Sequence, residues 1–215
     1  MASVFNVLGE AVLLVPAALM IFFVLFIRGY FGLARAWLIA NVTTIMLIAL
    51  AKLAIFRCGA GLGFGVVSPS GHVSLATTFY PCVALLLSRT CSRNGRTLAL
   101  VAALVLVSLI GASRVAVGDH VKAEVIVGFA IGLAGVMAYA LLASYATTEA
   151  IRIGAGRHVV ATVVSIAAAA VGVDTLLQHW TPEPTLQALS TRLGSLGGEC
   201  NPTPTFAPES KLLGL

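Results

Sequence analysis

The sequence predicts an all-α protein, a polytopic membrane helical bundle of about six transmembrane helices, and three observations predict it. Of 215 residues, 59% are hydrophobic and only 10% charged, against roughly 25% charged in a typical soluble domain. With a mean hydropathy of +1.02, the chain cannot supply a water-soluble surface. The apolar residues arrive in runs long enough to cross a hydrocarbon core of about 30 Å, which takes roughly 20 helical residues. Val, Ile and Ala dominate these runs without the alternation of apolar and polar residues that marks a barrel strand, and a helix satisfies its own backbone, as lipid demands.

Taken in order, the first run covers residues 11–27. Residues 1–10 before it lack the positive start of a secretory signal, and the first basic residues, Arg28 and Arg35, follow it, so it is expected to remain as a span. The second run, 36–56, ends near Lys52 and Arg57. Pro69 and Gly71 interrupt the chain just before the third, 72–88, which reads as a helix start. The fourth and fifth are 97–112 and 121–146, and the sixth is 159–177. Gly128 and Gly132 in the fifth form a small-xxx-small pair suited to close helix packing. From about residue 179 the composition turns polar, and Pro182, Pro184, Pro202, Pro204 and Pro208 oppose a long continuous helix. The expected organisation is therefore a transmembrane domain over 1–178 and a polar tail over 179–215, without an internal repeat.

Orientation follows from the short loops, because Lys and Arg stay preferentially cytoplasmic. Arg28, Arg35, Arg89, Arg93, Arg96, Arg152 and Arg157 fall on one face. The other holds Lys52, Arg57, Arg114, Lys122, Arg192 and Lys211 but also seven of the eight acids, which places both termini outside. The net charge of +5 fits this topology better than nucleic-acid binding, since no basic stripe with interleaved aromatics is present. Four cysteines without CxxC or Cys/His spacing make neither a metal site nor a disulfide framework. Cys58 and Cys200 share the outer face, where an oxidising compartment permits pairing.

In a chain so poor in charge, ionisable groups at the membrane are expensive and call for a function. They cluster on the outer face. At Ser68-Pro69-Ser70-Gly71-His72-Val73-Ser74 a helix begins, and its unpaired amides, with a hydroxyl and a sterically permissive Gly, make a site for a phosphate-like anion. Ser70 and Gly71 would hold its oxygens; His72 stands beside them, able to give or take a proton near neutrality. An ordinary capped helix with an interfacial His is the plain alternative. In Ser113-Arg114-Val115-Ala116-Val117-Gly118-Asp119-His120-Val121-Lys122-Ala123-Glu124, His120 and Glu124 are four apart, so the carboxylate can orient the imidazole. Arg114 offers a planar fork of donors for phosphate oxygens. The plain alternative is a surface contact between His and Glu. Neither His belongs to a ligand cluster, so no metal and no other cofactor is implied.

Together these residues resemble the type 2 phosphatidic acid phosphatase family, which shares its site with vanadium haloperoxidases and acid phosphatases. That family's three blocks are a Lys followed by Arg-Pro, then Pro-Ser-Gly-His, then Ser-Arg with a spaced His and Asp. Pro69-Ser70-Gly71-His72 matches the second in full, and Ser113, Arg114 and His120 match the third at its spacing. The final Asp is Glu124 here; in the first block Lys52 and Arg57 stand closer than usual, and Cys58 replaces the proline. Some bacterial members share both departures.

The resemblance implies that His120 is the nucleophile, His72 the acid, and Ser70, Gly71 and Arg114 a phosphate clamp that Lys52 and Arg57 can extend; Lys52 can alternatively snorkel to the interface. It implies a metal-independent membrane phosphatase of the bacterial inner membrane, with its site on the periplasmic or extracellular side. Because that site opens among apolar spans, its partners are expected to be membrane lipid and a lipid-phosphate substrate: phosphatidic acid, phosphatidylglycerol phosphate or a prenyl pyrophosphate. A lipid phosphotransferase, an inactive lipid-phosphate binder and, more remotely, a small anion transporter are the alternatives.

Overall fold

The computed structural model describes residues 2–58, 68–90, 92–146, 188–189 and 192. Six α-helices follow one another: α1 (Ala2–Gly9), α2 (Ala11–Ile27), α3 (Phe31–Cys58), α4 (Gly71–Leu87), α5 (Arg93–Val117) and α6 (Lys122–Tyr145). A short 3-10 turn, Ser88–Thr90, follows α4. There is no strand among the described residues, and the all-α expectation holds. Three helices, α3, α5 and α6, are long and apolar enough to cross a membrane. The chain is a membrane protein on that criterion; α2 and α4 are shorter apolar helices of 17 residues each.

Five of the six expected runs coincide with helices, and the sixth, 159–177, lies outside the described residues, as does the tail apart from three positions. Three boundaries differ by more than two residues, one of them the start of α5, at Arg93 rather than 97 because Ser92 caps it. α3 begins at Phe31 rather than 36, because its first turn carries Arg35 at the membrane edge while its apolar face is already packed, with Leu33 and Ala34 buried. α5 extends to Val117, past the expected 112, because Ser113 and Arg114 continue the helix until Gly118 stops it. α1 was not anticipated, since eight residues are too few to register as a span.

The bundle is apolar on both sides, as lipid solvent requires. Along α6, Ile126, Leu133, Met137 and Leu141 form one exposed stripe, while Gly128, Gly132, Gly135 and Tyr139 are buried on the opposite face. Lipid tails are as apolar as Leu, so helix association rests on close packing and hydrogen bonds rather than on hydrophobic burial. The glycines serve that packing. A Cβ on Gly132 would lie 2.6 Å from the Ser74 carbonyl oxygen and would also collide with Thr77. One on Gly135 would lie 2.8 Å from Thr78 Oγ1 and would run into Thr44. Thr44 and Thr78 share a hydrogen bond of 2.8 Å, and Thr78 Oγ1 also lies 3.0 Å from the Gly132 carbonyl oxygen, which can accept its proton, so hydroxyls tie α3, α4 and α6 together. Deeper in the core, Trp37 donates to the Ala18 carbonyl at 2.8 Å and meets Phe79 and Tyr139 edge to face. At the far end, Arg89 donates to the Ala143 carbonyl at 2.6 Å, a cation on the last turn of α6. The result is a rigid frame holding the starts of α4 and α6 and the end of α5 at one level.

Candidate active site

At the start of α4, Ser70 is the N-cap, with extended backbone (φ −68°, ψ 108°), and its hydroxyl accepts from the Val73 amide at 3.5 Å. The Ser70 carbonyl accepts from the Ser74 amide at 3.1 Å and hydroxyl at 2.9 Å. Ser70 is fully buried, so its side chain shapes the helix start rather than lining an open surface. Gly71 and His72 are half-buried, and as the first helical residues their amides have no intrahelical acceptor. A Cβ on Gly71 would meet no atom within 4 Å, so packing against the protein does not demand a glycine there.

Arg114 lies in the last turn of α5, which Gly118 ends in the left-handed conformation (φ 84°). That φ favours glycine, and it lets the chain fold back so that the Arg114 carbonyl accepts from the Asp119 amide at 3.2 Å and the His120 amide at 3.3 Å. His120 is thereby fixed beside Arg114. The Arg114 guanidinium pairs with Asp119 at 3.1 Å, and its Nε is buried without a hydrogen-bond partner.

His120 precedes α6 rather than lying on it, since Val121 is the N-cap and the helix starts at Lys122. The expected helical face is therefore corrected to a capping turn, but the pair forms: His120 Nδ1 lies 2.8 Å from Glu124 Oε2. Glu124 stands at the third helical position, from which a carboxylate reaches back to the helix start, and Oε2 also accepts from the Val121 amide at 3.3 Å. Its other oxygen, Oε1, accepts from the Ser68 amide at 2.8 Å, and its carbonyl accepts from the Ser70 amide at 3.3 Å. One residue thus joins His120 to the turn that carries Ser70, Gly71 and His72.

With that junction in view, the comparisons with known proteins bear on the same segment. Residues 56–148 match the PAP2 superfamily, a stretch that contains both the Pro69–His72 turn and the Ser113–Glu124 block. The family resemblance is carried by that segment of the chain. An "uncharacterized 22.5 kDa protein in cps region" of Klebsiella pneumoniae is 33% identical over 129 residues, 59% of this chain and 62% of that relative. The chain therefore spans less than two thirds of the length of the curated relative it matches. No solved structure matches it. The match over 56–148 supports a phosphatase-type fold for that segment.

Lys52 lies before the matched segment. It is 7% exposed and follows Thr44 and Ile48 on the buried face of α3, so it faces into the bundle rather than snorkelling. The Arg57 and Cys58 backbones close α3, but their side chains fall outside what is described, as does Cys200. No group of three or more metal-ligating side chains occurs among the described residues.

Sequence reasoning missed three participants. In the sequence Ser68 has no role beyond the stretch where a helix begins, and its amide proves to be a Glu124 partner. Asp119 was read only as an acid of the outer face, and it occupies one side of the Arg114 fork. Glu10 was treated likewise, yet its Oε1 lies 3.5 Å from His72 Nε2. Its contact with the His72 ring holds the Glu10 carboxyl below its ordinary value; partial burial opposes this, and Arg114 adds to the lowering. Sixty-two residues from His72 in sequence, Glu10 gave no local signal.

Proposed function

We propose that this protein is a membrane phosphatase that cleaves the terminal phosphate of a lipid phosphate or prenyl pyrophosphate through a phosphohistidine on His120. The observation that carries the reading is the triple reach of Glu124, whose carboxylate orients His120 and binds the Ser68 amide while its carbonyl binds the Ser70 amide. Because Nδ1 is taken by Glu124, the His120 lone pair available for attack is on Nε2. Nε2 attacks phosphorus in line, forming the N–P bond as the bond to the lipid oxygen breaks. Glu124 stabilises the imidazolium that develops. His72 gives its proton to the departing oxygen, then takes one from the water that attacks the phosphohistidine and releases phosphate.

The charge spread over the equatorial oxygens needs preorganised donors, the dominant requirement in phosphoryl transfer. Here the Arg114 fork, the Gly71 and His72 amides at the α4 start and the inward Lys52 supply them, with Arg57, inside the matched segment, as a further cation. Ser70 acts by capping that helix start. This donor set assigns no step to a metal. Apolar spans around the site favour a substrate whose tail stays in lipid, and loop charge favours the inner membrane with the site on its outer side.

Phosphate release by the purified protein from phosphatidic acid, phosphatidylglycerol phosphate and a prenyl pyrophosphate tests the reading. Release from at least one, lost in His120→Ala and in His72→Ala, is expected. Unchanged release in His120→Ala would end it.

A further inference from the structure

Two imidazoles stand at this end of the bundle, and each has a carboxylate of its own. Glu124 serves His120 from four residues away. The carboxylate on His72 comes from the junction of α1 and α2, at the other end of the described chain: Glu10 Oε1 lies 3.5 Å from His72 Nε2. We infer that Glu10 is a positioning residue for His72, orienting its ring and stabilising the imidazolium that delivers the proton to the leaving oxygen. The inference rests on the phosphatase reading above and adds to it a residue outside the matched segment, which starts at residue 56.

Three observations carry it. The first is the character of the contact. At 3.5 Å, Nε2 and Oε1 are within ion-pair range but beyond a well-formed hydrogen bond, and Nε2 is buried with no hydrogen-bond partner. The carboxylate therefore acts by charge on the Nε2 side of the ring and leaves the proton on Nδ1 as the one to transfer. In the first half-reaction the N–H bond of His72 breaks as an O–H bond forms on the leaving group. In the second, His72 recovers a proton from water, and Glu10 remains ionised throughout.

The second is that Glu10 is built in. Its amide donates to the Val7 carbonyl at 3.1 Å, and its own carbonyl accepts from the Leu13 and Leu14 amides at 3.1 and 2.9 Å. Tyr80 of α4 donates to the Leu8 carbonyl at 2.8 Å, docking α1 beside the helix that carries His72. Gly9 is packed so closely that a Cβ there would lie 3.3 Å from His72 Cβ and 3.0 Å from Ile110. The third is that the other acids nearby are engaged. Of the charged groups at this end of the packed elements, α1 and α2 have none, α4 presents His72, α5 presents Arg114, the turn presents Asp119 and His120, α6 presents Lys122 and Glu124, and α3 carries Lys52 and Arg57. Asp119 pairs with Arg114 and Glu124 with His120, so Glu10 is the carboxylate placed on His72.

The test uses the full chain, with two readouts. In the pH dependence of turnover, Glu10→Gln should lower kcat about tenfold with KM nearly unchanged, and should move the alkaline limb to lower pH, because the proton donor loses its stabilising charge. Glu10→Asp should restore part of kcat. Wild-type kcat and an unmoved limb in Glu10→Gln would overturn the inference. In parallel, carbon-13 NMR of glutamate-labelled protein, with the Glu10 signal assigned by its loss in Glu10→Gln, should show the Glu10 titration moving up toward the ordinary carboxylate range in His72→Ala. A Glu10 titration indifferent to His72 would overturn the pairing even if the wild-type protein released no phosphate, an outcome that by itself would defeat only the phosphatase reading.

Discussion

Glu124 shows at residue scale how much one methylene can do. Its two carboxylate oxygens serve His120, the Val121 amide and the Ser68 amide. An aspartate at this position could orient His120, but its shorter reach could not also hold Ser68. Glu124→Asp should therefore keep part of the turnover, and Glu124→Ala should lose it. Leaving the Ser68 amide and the His120 ring without their acceptor should also cost Glu124→Ala about 1–3 kcal/mol of stability, measurable as a lower unfolding midpoint in detergent. Full turnover in Glu124→Ala would contradict this account of the residue. Glu10 gives a pH dependence with a definite sign. Its carboxyl is held down by His72 in the folded protein, so its contribution is present above the ordinary carboxylate value and is lost as pH falls through the lowered one. The hydrogen-exchange protection factors of residues 2–9 should accordingly fall on acidification in wild type and be less pH-dependent in Glu10→Gln.

Among elements, the long apolar helices were legible because lipid imposes a length and an apolar composition that leave little choice. The Pro69–His72 helix start and the Gly128 and Gly132 packing were legible for the same kind of reason, a local backbone demand met by particular residues. α1 was not, since eight residues without a charge carry too little pattern, and its place is set by the Tyr80 hydroxyl and by the packing of Gly9 on Ile110, both remote in sequence. The His120 and Glu124 pair was legible by spacing, though the turn that forms it is a helix cap rather than a helix face. The link from Glu124 to Ser68, 56 residues away, has no local signature at all. The α4 and α6 contact makes a prediction at this scale. Gly132→Ala puts a methyl against the backbone oxygen of Ser74, where no side-chain rotation can relieve it, and overpacking of this kind costs about 1–3 kcal/mol. The thermal midpoint of Gly132→Ala should fall, whereas Gly71→Ala, whose Cβ meets nothing within 4 Å, should leave the midpoint near wild type. Equal midpoints for Gly132→Ala and wild type would contradict the close packing.

For the whole molecule, the frame of α3, α4, α5 and α6 brings residues from three separate stretches of sequence to one end of a membrane bundle, the end that holds the acids among the described residues, Glu10, Asp119 and Glu124. Activity resting on protein cations and helix amides should survive EDTA, and loss of turnover on chelation would point instead to a metal. If the proposed topology holds, with the arginine-rich ends of α4 and α5 in the cytoplasm, Cys91 should react with a membrane-impermeant maleimide only after cells are permeabilised; labelling in intact cells would invert the orientation. The central claim is that a phosphoryl group passes through His120 between the α4 start and the α5 end. Rapid quenching of wild-type protein with a terminally phosphorus-32-labelled lipid phosphate tests it most directly. The account predicts acid-labile, base-stable label on the peptide containing His120, absent from His120→Ala, and turnover without any labelled histidine would contradict it.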